Sequence, residues 1–142
     1  QPLRKVAKVG ADETINVAED GAALQRFAAE KGQFDVLFEC SGNERALRAA
    51  FEVVRPRGVV VQLGLSGSEL TLPFNMVVAK EFDLRGAFRF HEEFGVAVGL
   101  INKKLVDLKP LVSATLPFRD AGRAFALAAD RTQSMKVLLD FE

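Results

Sequence analysis

The feature that most constrains this chain is the stretch from Phe34 to Gly42, which reads Phe-Asp-Val-Leu-Phe-Glu-Cys-Ser-Gly. A β-prone, mostly apolar run stops at small residues, and a helical pattern begins at once. A buried parallel strand hands over to a helix in this way in an α/β sheet. The signal recurs from Val59 to Gly67, where Val-Val-Val-Gln-Leu breaks into Gly64-Leu65-Ser66-Gly67. Sheets of this kind bind ligands at the carboxyl ends of their strands, where helices start. The small residues just past each strand are therefore the first place to look for function.

The rest of the chain supports that frame. Pro2 opens a helix with an apolar stripe at Leu3, Val6, Ala7 and Val9, closed at Gly10. Glu13–Val17 reads as a short strand, β-branched at Thr14, Ile15 and Val17. Asp20 is placed to cap a helix bearing Leu24, Phe27 and Ala28, which Gly32 ends. Ser41-Gly42-Asn43-Glu44 has the spacing of a capping box ahead of Leu47, Ala50, Phe51 and Val54, and Arg55-Pro56-Arg57-Gly58 stops that helix. Pro73 opens a short helix through Lys80, and Glu81–Phe90 begins with the period-two alternation of an edge strand, a ready place for another subunit to pair. From His91 an amphipathic helix carries Phe94, Val98, Ile101 and Leu105. Leu111–Leu116 is a strand, Asp120 caps a helix bearing Ala121, Ala124, Phe125 and Ala128, and Met135–Phe141 closes as a strand. Strand and helix alternation predicts an α/β fold with a parallel sheet and a domain boundary near Phe88–Glu92. Opening in a helix with no strand before it, the chain reads as the carboxyl-terminal portion of something longer.

Composition removes several function classes. Nineteen basic and nineteen acidic residues cancel, so no nucleic acid and no anionic membrane is expected as partner. No apolar run approaches the ~20 residues that span a bilayer. Gln1-Pro2-Leu3-Arg4-Lys5 is followed by no signal-peptide apolar region. The single cysteine, Cys40, cannot form an internal disulfide, which fits a reducing, cytoplasmic setting. One cysteine and one histidine cannot build a zinc site, so no metal ligand is expected.

Candidate chemistry sits at three strand ends: Cys40-Ser41-Gly42, Leu63-Gly64-Leu65 and Ala87-Phe88-Arg89. They converge if the sheet is doubly wound. The first ends at a helix start, where free N–H groups favour an anion or a flat ring with polar edges. Gly64 would let a ligand approach the backbone without a Cβ in the way, and its neighbours could hold an amide such as a nicotinamide carboxamide. Arg89 suits a pyrophosphate or a hydroxylated substrate, and reads otherwise as a solvated surface arginine. Spacing alone does not decide between a nucleotide pocket and a plain α/β core with glycine turns. Cys40 reads as a small buried hydrophobe rather than a nucleophile, because no histidine lies near it in sequence. His91 reads as a helix-start residue, and no catalytic residue is expected. Glu39, charged inside an apolar strand, is expected to hydrogen-bond a loop rather than face outward.

Taken in order, Gly10-Ala11-Asp12, the Phe34–Gly42 stretch, and Arg57-Gly58-Val59-Val60-Val61 with Gly64-Leu65 resemble the medium-chain, zinc-type alcohol dehydrogenases. Leu84-Arg85-Gly86-Ala87-Phe88-Arg89-Phe90, Lys109-Pro110-Leu111-Val112 and Lys136-Val137-Leu138-Leu139 continue the likeness in register. It is nearest to the polyol branch, the sorbitol, xylitol and L-idonate 5-dehydrogenases, and covers essentially the whole chain. The resemblance implies the rear half of a Rossmann-type doubly wound parallel sheet over residues 1–88. Residues 89–142 would be the carboxyl-terminal segment returning to a GroES-like catalytic domain. It implies NAD or NADP as cofactor, zinc in the parent enzyme, and oxidation of a secondary hydroxyl of a polyol or sugar acid by hydride transfer. Cys40 and Ser41 match positions beside the adenosine, and Leu63, Gly64 and Leu65 positions beside the nicotinamide. Phe88 and Arg89 match the cofactor and substrate side. The Phe82–Phe88 strand matches the one that pairs in the family's oligomers, implying a homodimer or homotetramer.

The family's Gly-x-Gly-x-x-Gly loop, its ribose-selecting acid and all of its zinc ligands lie upstream of the matched region. The fragment alone is therefore not expected to turn over substrate. Two other readings stay open: a non-catalytic module that associates through its edge strand, and a zinc-free quinone-reductase relative.

Overall fold

The computed structural model describes residues 2–142, and Gln1 lies outside the described residues. The chain divides into two units, one of Val17–Arg89 and one that joins residues 2–16 to Phe90–Glu142.

In the Val17–Arg89 unit the apolar runs form the expected strands, β1 (Phe34–Glu39) and β2 (Val54–Gln62), with helix α2 (Glu44–Val53) between them. Helix α3 (Phe74–Lys80) then crosses to strand β3 (Asp83–Gly86). The three strands are parallel, in the order β1-β2-β3. The class is α/β, as the alternation predicts. Helix α2 turns Leu47 and Phe51 onto Val54 and Val60 of β2 and onto Phe82, the fully or nearly buried core. The Phe51 and Phe82 rings meet edge-on with centroids 5.3 Å apart. Burial of each such side chain stabilises the fold by roughly 1.5–3 kcal/mol. Lys80, at the end of α3, is 9% exposed and donates to the carbonyls of Phe51, Glu52 and Val54 at 2.8–2.9 Å.

Several expectations are corrected here. Glu13–Val17 forms no strand: the segment is irregular and turn, with no neighbouring strand to supply the pleated surface that β propensity reflects. Asp20 does not cap a helix from its N-terminal end. Its carboxylate takes the Ala22 N–H at 3.0 Å in a local turn, and a 3₁₀ helix over Ala23–Lys31 follows with a break at Ala29 and Glu30. The capping box is replaced by Asn43, whose side chain accepts from the Ala46 N–H at 3.0 Å. Helix α2 ends at Val53 and β2 begins at Val54, so Arg55–Gly58 lies in an irregular strand start rather than a loop. Arg57 there has a left-handed φ of 58° and pairs with Glu81, itself at φ 52°, across 2.6 Å. The edge strand expected over Glu81–Phe90 shortens to Asp83–Gly86. Strand β1 is not buried in this chain: Val36 is 46% and Phe38 64% exposed.

The other unit is built the same way on a smaller scale. Strand β4 (Val112–Pro117) pairs parallel with β5 (Lys136–Asp140), linked by helix α5 (Ala121–Ala129). Helix α1 (Pro2–Lys8) joins it through Lys5 Nζ, which donates to the Ser113 hydroxyl at 3.0 Å. Ser134, 3% exposed, donates to the Leu127 carbonyl at 2.6 Å and closes α5. Helix α4 is Glu93–Asn102, so His91 lies before its start and Leu105 beyond its end. None of its residues is buried. No helix among the described residues is long and apolar enough to cross a membrane.

Candidate functional site

Strand register decides which residues meet. Glu39 pairs with Gln62, and Gln62 with Gly86, so all three strands of the larger sheet stop at one level. The loops leaving them begin with Cys40, Leu63 and Ala87. Within these three strands the order is sequential, so the ends align through parallel register rather than through a reversal of strand order. The backbone continues the alignment past the sheet. Leu63 and Gly64 N–H donate to the Glu39 carbonyl at 2.8 and 2.9 Å, and Ala87 N–H donates to the Gln62 carbonyl at 3.0 Å.

At the centre of this edge is the Glu39 carboxylate, on a residue 5% exposed. It accepts from the Ser41 N–H at 2.7 Å, the Gly42 N–H at 2.9 Å, the Ser41 hydroxyl, and Gln62 Nε2 at 2.7 Å. Burial pushes the Glu39 carboxyl up, but the Ser41 hydroxyl, the two N–H groups and Gln62 outweigh it and hold the group below its ordinary value. The expectation that Glu39 bonds a loop is therefore met. It also corrects another, because the N–H groups at this helix start, read as free for an external anion, are filled by the chain's own carboxylate.

The two adjacent loops interlock through glycines. Gly42 has φ +65°, and a Cβ there would lie 2.3 Å from the Leu65 carbonyl oxygen. A Cβ on Gly64 would lie 2.1 Å from the Gly42 nitrogen and 2.7 Å from Glu39 Oε2. Gly64 is thus bare because loop packs on loop. The space its missing side chain leaves is occupied by Gly42 and Cys40, not held open for a ligand.

The other sequence-predicted site residues sit along the same edge. Cys40 is exposed, which corrects the expectation of a buried thiol, and its Sγ lies 3.7 Å from the Phe38 carbonyl oxygen. Burial fails because Cys40 lies one residue past the end of β1, on the side of the buried Glu39 that leads out into the loop. Ser41 is exposed with its hydroxyl committed to Glu39. Leu63 and Leu65 stand 42% and 74% exposed on either side of Gly64. Arg89, at a left-handed φ of 62°, lies over the Phe88 ring at 5.0 Å and has no ion-pair partner among the described residues.

Sequence reasoning missed Gln62. Its Nε2 bridges Glu39 Oε2 and the Gly64 carbonyl, each at 2.7 Å, while its Oε1 is buried with no partner among the described residues. The signal was present: a polar residue ends an otherwise apolar run at the same height as Glu39 in the neighbouring strand.

Among the described residues no three His, Cys, Asp or Glu side chains gather as a metal site, and Cys40 and His91 belong to different units. These residues do not fit a zinc ion. A shallow, mainly aliphatic groove of about 520 Å³ lies along α4 in the smaller unit, between Gly95, Gly99 and Leu105. It holds no buried titratable group.

Comparison with known proteins assigns the fold to a family. Residues 1–103 match the family model described as zinc-binding dehydrogenase. L-idonate 5-dehydrogenase (NAD(P)(+)) of Escherichia coli strain K12 is 41% identical over 134 residues, which are 94% of this chain and 38% of that protein. Human sorbitol dehydrogenase is 30% identical over 128 residues, 87% of this chain and 35% of its own length. The crystal structure of L-idonate 5-dehydrogenase from Escherichia coli superposes with a TM-score of 0.90 at 40% identity, covering 98% of this chain and 40% of that one. The chain thus spans about two fifths of the length of the relatives it matches. On the family match over most of its residues, this chain belongs to the zinc-binding dehydrogenases.

Proposed function

We propose that this chain supplies the rear wall of a nicotinamide-dinucleotide pocket in a longer, zinc-dependent NAD(P) polyol dehydrogenase of the L-idonate 5-dehydrogenase or sorbitol dehydrogenase type. The observation that carries the reading is the register Glu39–Gln62–Gly86, which brings the three predicted strand-end segments to one edge. Cys40 and Ser41 border the adenosine, and exposed Leu63 and Leu65, with Gly64 between them, give the nicotinamide an apolar surface to cover. The buried, unpartnered Gln62 Oε1 leaves an acceptor near that edge. Phe88 and Arg89 flank the cofactor and substrate side, where the guanidinium binds phosphate or hydroxyl oxygens. A nicotinamide held there would supply the hydride acceptor for oxidation of a secondary hydroxyl to a ketone, the hydroxyl proton leaving separately. This chain's residues bind and orient; none supplies an acid, a base or a zinc ligand.

In this reading residues 1–88 are the rear of the nucleotide-binding domain, and 89–142 return to the catalytic domain, all in the cytoplasm. Self-association through β3 into a dimer or tetramer is supported by its place at the sheet edge, with all four residues exposed.

The test is made on the full-length protein that carries this chain. NADH and NADPH binding is followed by fluorescence, together with zinc content and oxidation of L-idonate, sorbitol and xylitol. Dinucleotide binding with polyol oxidation is expected. Binding without zinc, with reduction of quinones, would favour the quinone-reductase relative. No binding of either dinucleotide would leave the edge-pairing module in its place.

A further inference from the structure

Glu39 presents a problem that its role in the fold does not resolve. A carboxylate on a residue 5% exposed, with no cationic partner among the described residues, is an expensive way to close a loop. Neutral side chains close such loops routinely. What a carboxylate alone offers is acceptor capacity without a donor: two oxygens with about four lone-pair sites. Here four donors use it, namely the Ser41 N–H, the Ser41 hydroxyl, the Gly42 N–H and Gln62 Nε2.

Those donors come from the loop after β1 and from the last residue of β2. Ser41 and Gly42 follow β1, whereas Gln62 ends β2 and passes its second amide hydrogen to the Gly64 carbonyl at 2.7 Å. The amide orientation is fixed, since Nε2 lies between two acceptors and a flipped Oε1 would face both. A displacement of the carboxylate therefore reaches both loops, and the backbone of Gln62 carries it on to Ala87.

We propose that Glu39 is a positioning residue. By tying the Ser41–Gly42 backbone to Gln62 and so to Gly64, it sets the separation of the loops that present Cys40, Ser41, Leu63 and Leu65 to the dinucleotide. The inference rests on the cofactor reading above. Glu39 itself touches no ligand in this scheme; it acts through the loops. An isosteric glutamine would turn a donor either toward the Ser41 N–H, at the Oε1 position, or toward the Gly42 N–H and Gln62 Nε2 together, at the Oε2 position, and the loops would have to separate.

The experiment uses the full-length protein, titrated with NADH or NADPH, with steady-state kinetics beside it. Glu39→Gln is expected to weaken dinucleotide binding about tenfold, and Gln62→Met about threefold, because ångström-scale misplacement of binding groups is costly. The Michaelis constant for the cofactor should rise with it, while kcat at saturating cofactor stays within about twofold of the parent, as a loss of binding common to ground and transition states requires. A purely structural residue would lower Tm and leave the dissociation constant of the folded protein unchanged. If Glu39→Gln does not fold, Gln62→Met decides, since Glu39 there keeps its donors from Ser41 and Gly42. A parent that binds while its folded variants bind equally well overturns this inference alone. A parent that binds neither dinucleotide overturns the cofactor reading and this inference together.

Discussion

Lys80→Met is the perturbation whose cost follows most directly from the structure. The Lys80 ammonium gathers three carbonyls, of Phe51, Glu52 and Val54, where helix α2 runs out into β2. Terminal helix carbonyls lack intrahelical partners and carry the negative end of the helix dipole, so a cation is well placed there. Methionine keeps the length and fills the same space but donates nothing. The bonds to Phe51 and Val54 are buried, so two carbonyls lose their partner away from water. Each such orphan costs about 1–3 kcal/mol. The bond to Glu52 is only partly buried, and that carbonyl can turn to solvent.

Against the loss stands a gain. Burial pushes the Lys80 ammonium below its ordinary value, with the Glu52 charge opposing, so removing the charge relieves a desolvation cost. The net destabilisation is about 2–3 kcal/mol, since the orphaned carbonyls outweigh that relief. With a urea dependence of roughly 1.5–2 kcal/mol per M, the midpoint should fall by about 1.5 M at unchanged slope. Lys80→Gln, which still donates two hydrogens, should recover about half of it. A midpoint for Lys80→Met within about 0.3 M of the parent would refute the claim that these carbonyls depend on the ammonium.

Three further outcomes are expected. Gly64→Ala drives a Cβ to 2.1 Å from the Gly42 nitrogen, so it should cost about 2–4 kcal/mol and lower Tm even without cofactor; an unchanged apo-protein melting curve would show that the loops part freely. Arg89→Ala, made in the full-length protein, should raise the Michaelis constant for cofactor or polyol about five- to tenfold, and steady-state kinetics identical to the parent would remove Arg89 from the site. The Glu39 carboxyl is held below the ordinary 4.5, so the folded state binds its proton more weakly than the unfolded one. Its contribution is complete above about pH 4.5 and is lost as pH falls through the folded-state value, so urea midpoints from about pH 6 to about pH 3 should fall less steeply in Glu39→Gln than in the parent.

Much of the fold was legible because the apolar runs carry their own period. The Phe34–Glu39 and Val59–Gln62 stretches could be little but parallel strands, and Leu47 and Phe51 fall on one helical face. The elements that failed depend on neighbours the local pattern does not contain. Thr14, Ile15 and Val17 have strand composition, but none of the described strands pairs with them. Ser41 has capping-box spacing, but its hydroxyl is claimed by Glu39, two residues back, and Asn43 takes over the cap. Lys80 reads only as the end of a short helix, because the carbonyls of Phe51 and Val54 that hold it lie more than twenty residues away in sequence. At the site, the strand ends were legible one at a time. Their common level and the brace between them were not, because register is a property of paired strands.

The glycine contact between the loops also bears on how this region can change over generations or in a designed library. The backbone at Gly42 fills the side-chain space of Gly64, and the backbone at Leu65 fills that of Gly42, so neither glycine is free to vary while the facing loop stays fixed. A one-residue insertion in either loop would move one glycine off the other and place a Cβ against backbone. The two loops therefore form a single mutational unit: their effects will not add, and functional variation at one must arrive together with a matching change in the other. Diversification of these loops has room at the exposed positions, Cys40, Leu63 and Leu65, and almost none at Gly42 and Gly64.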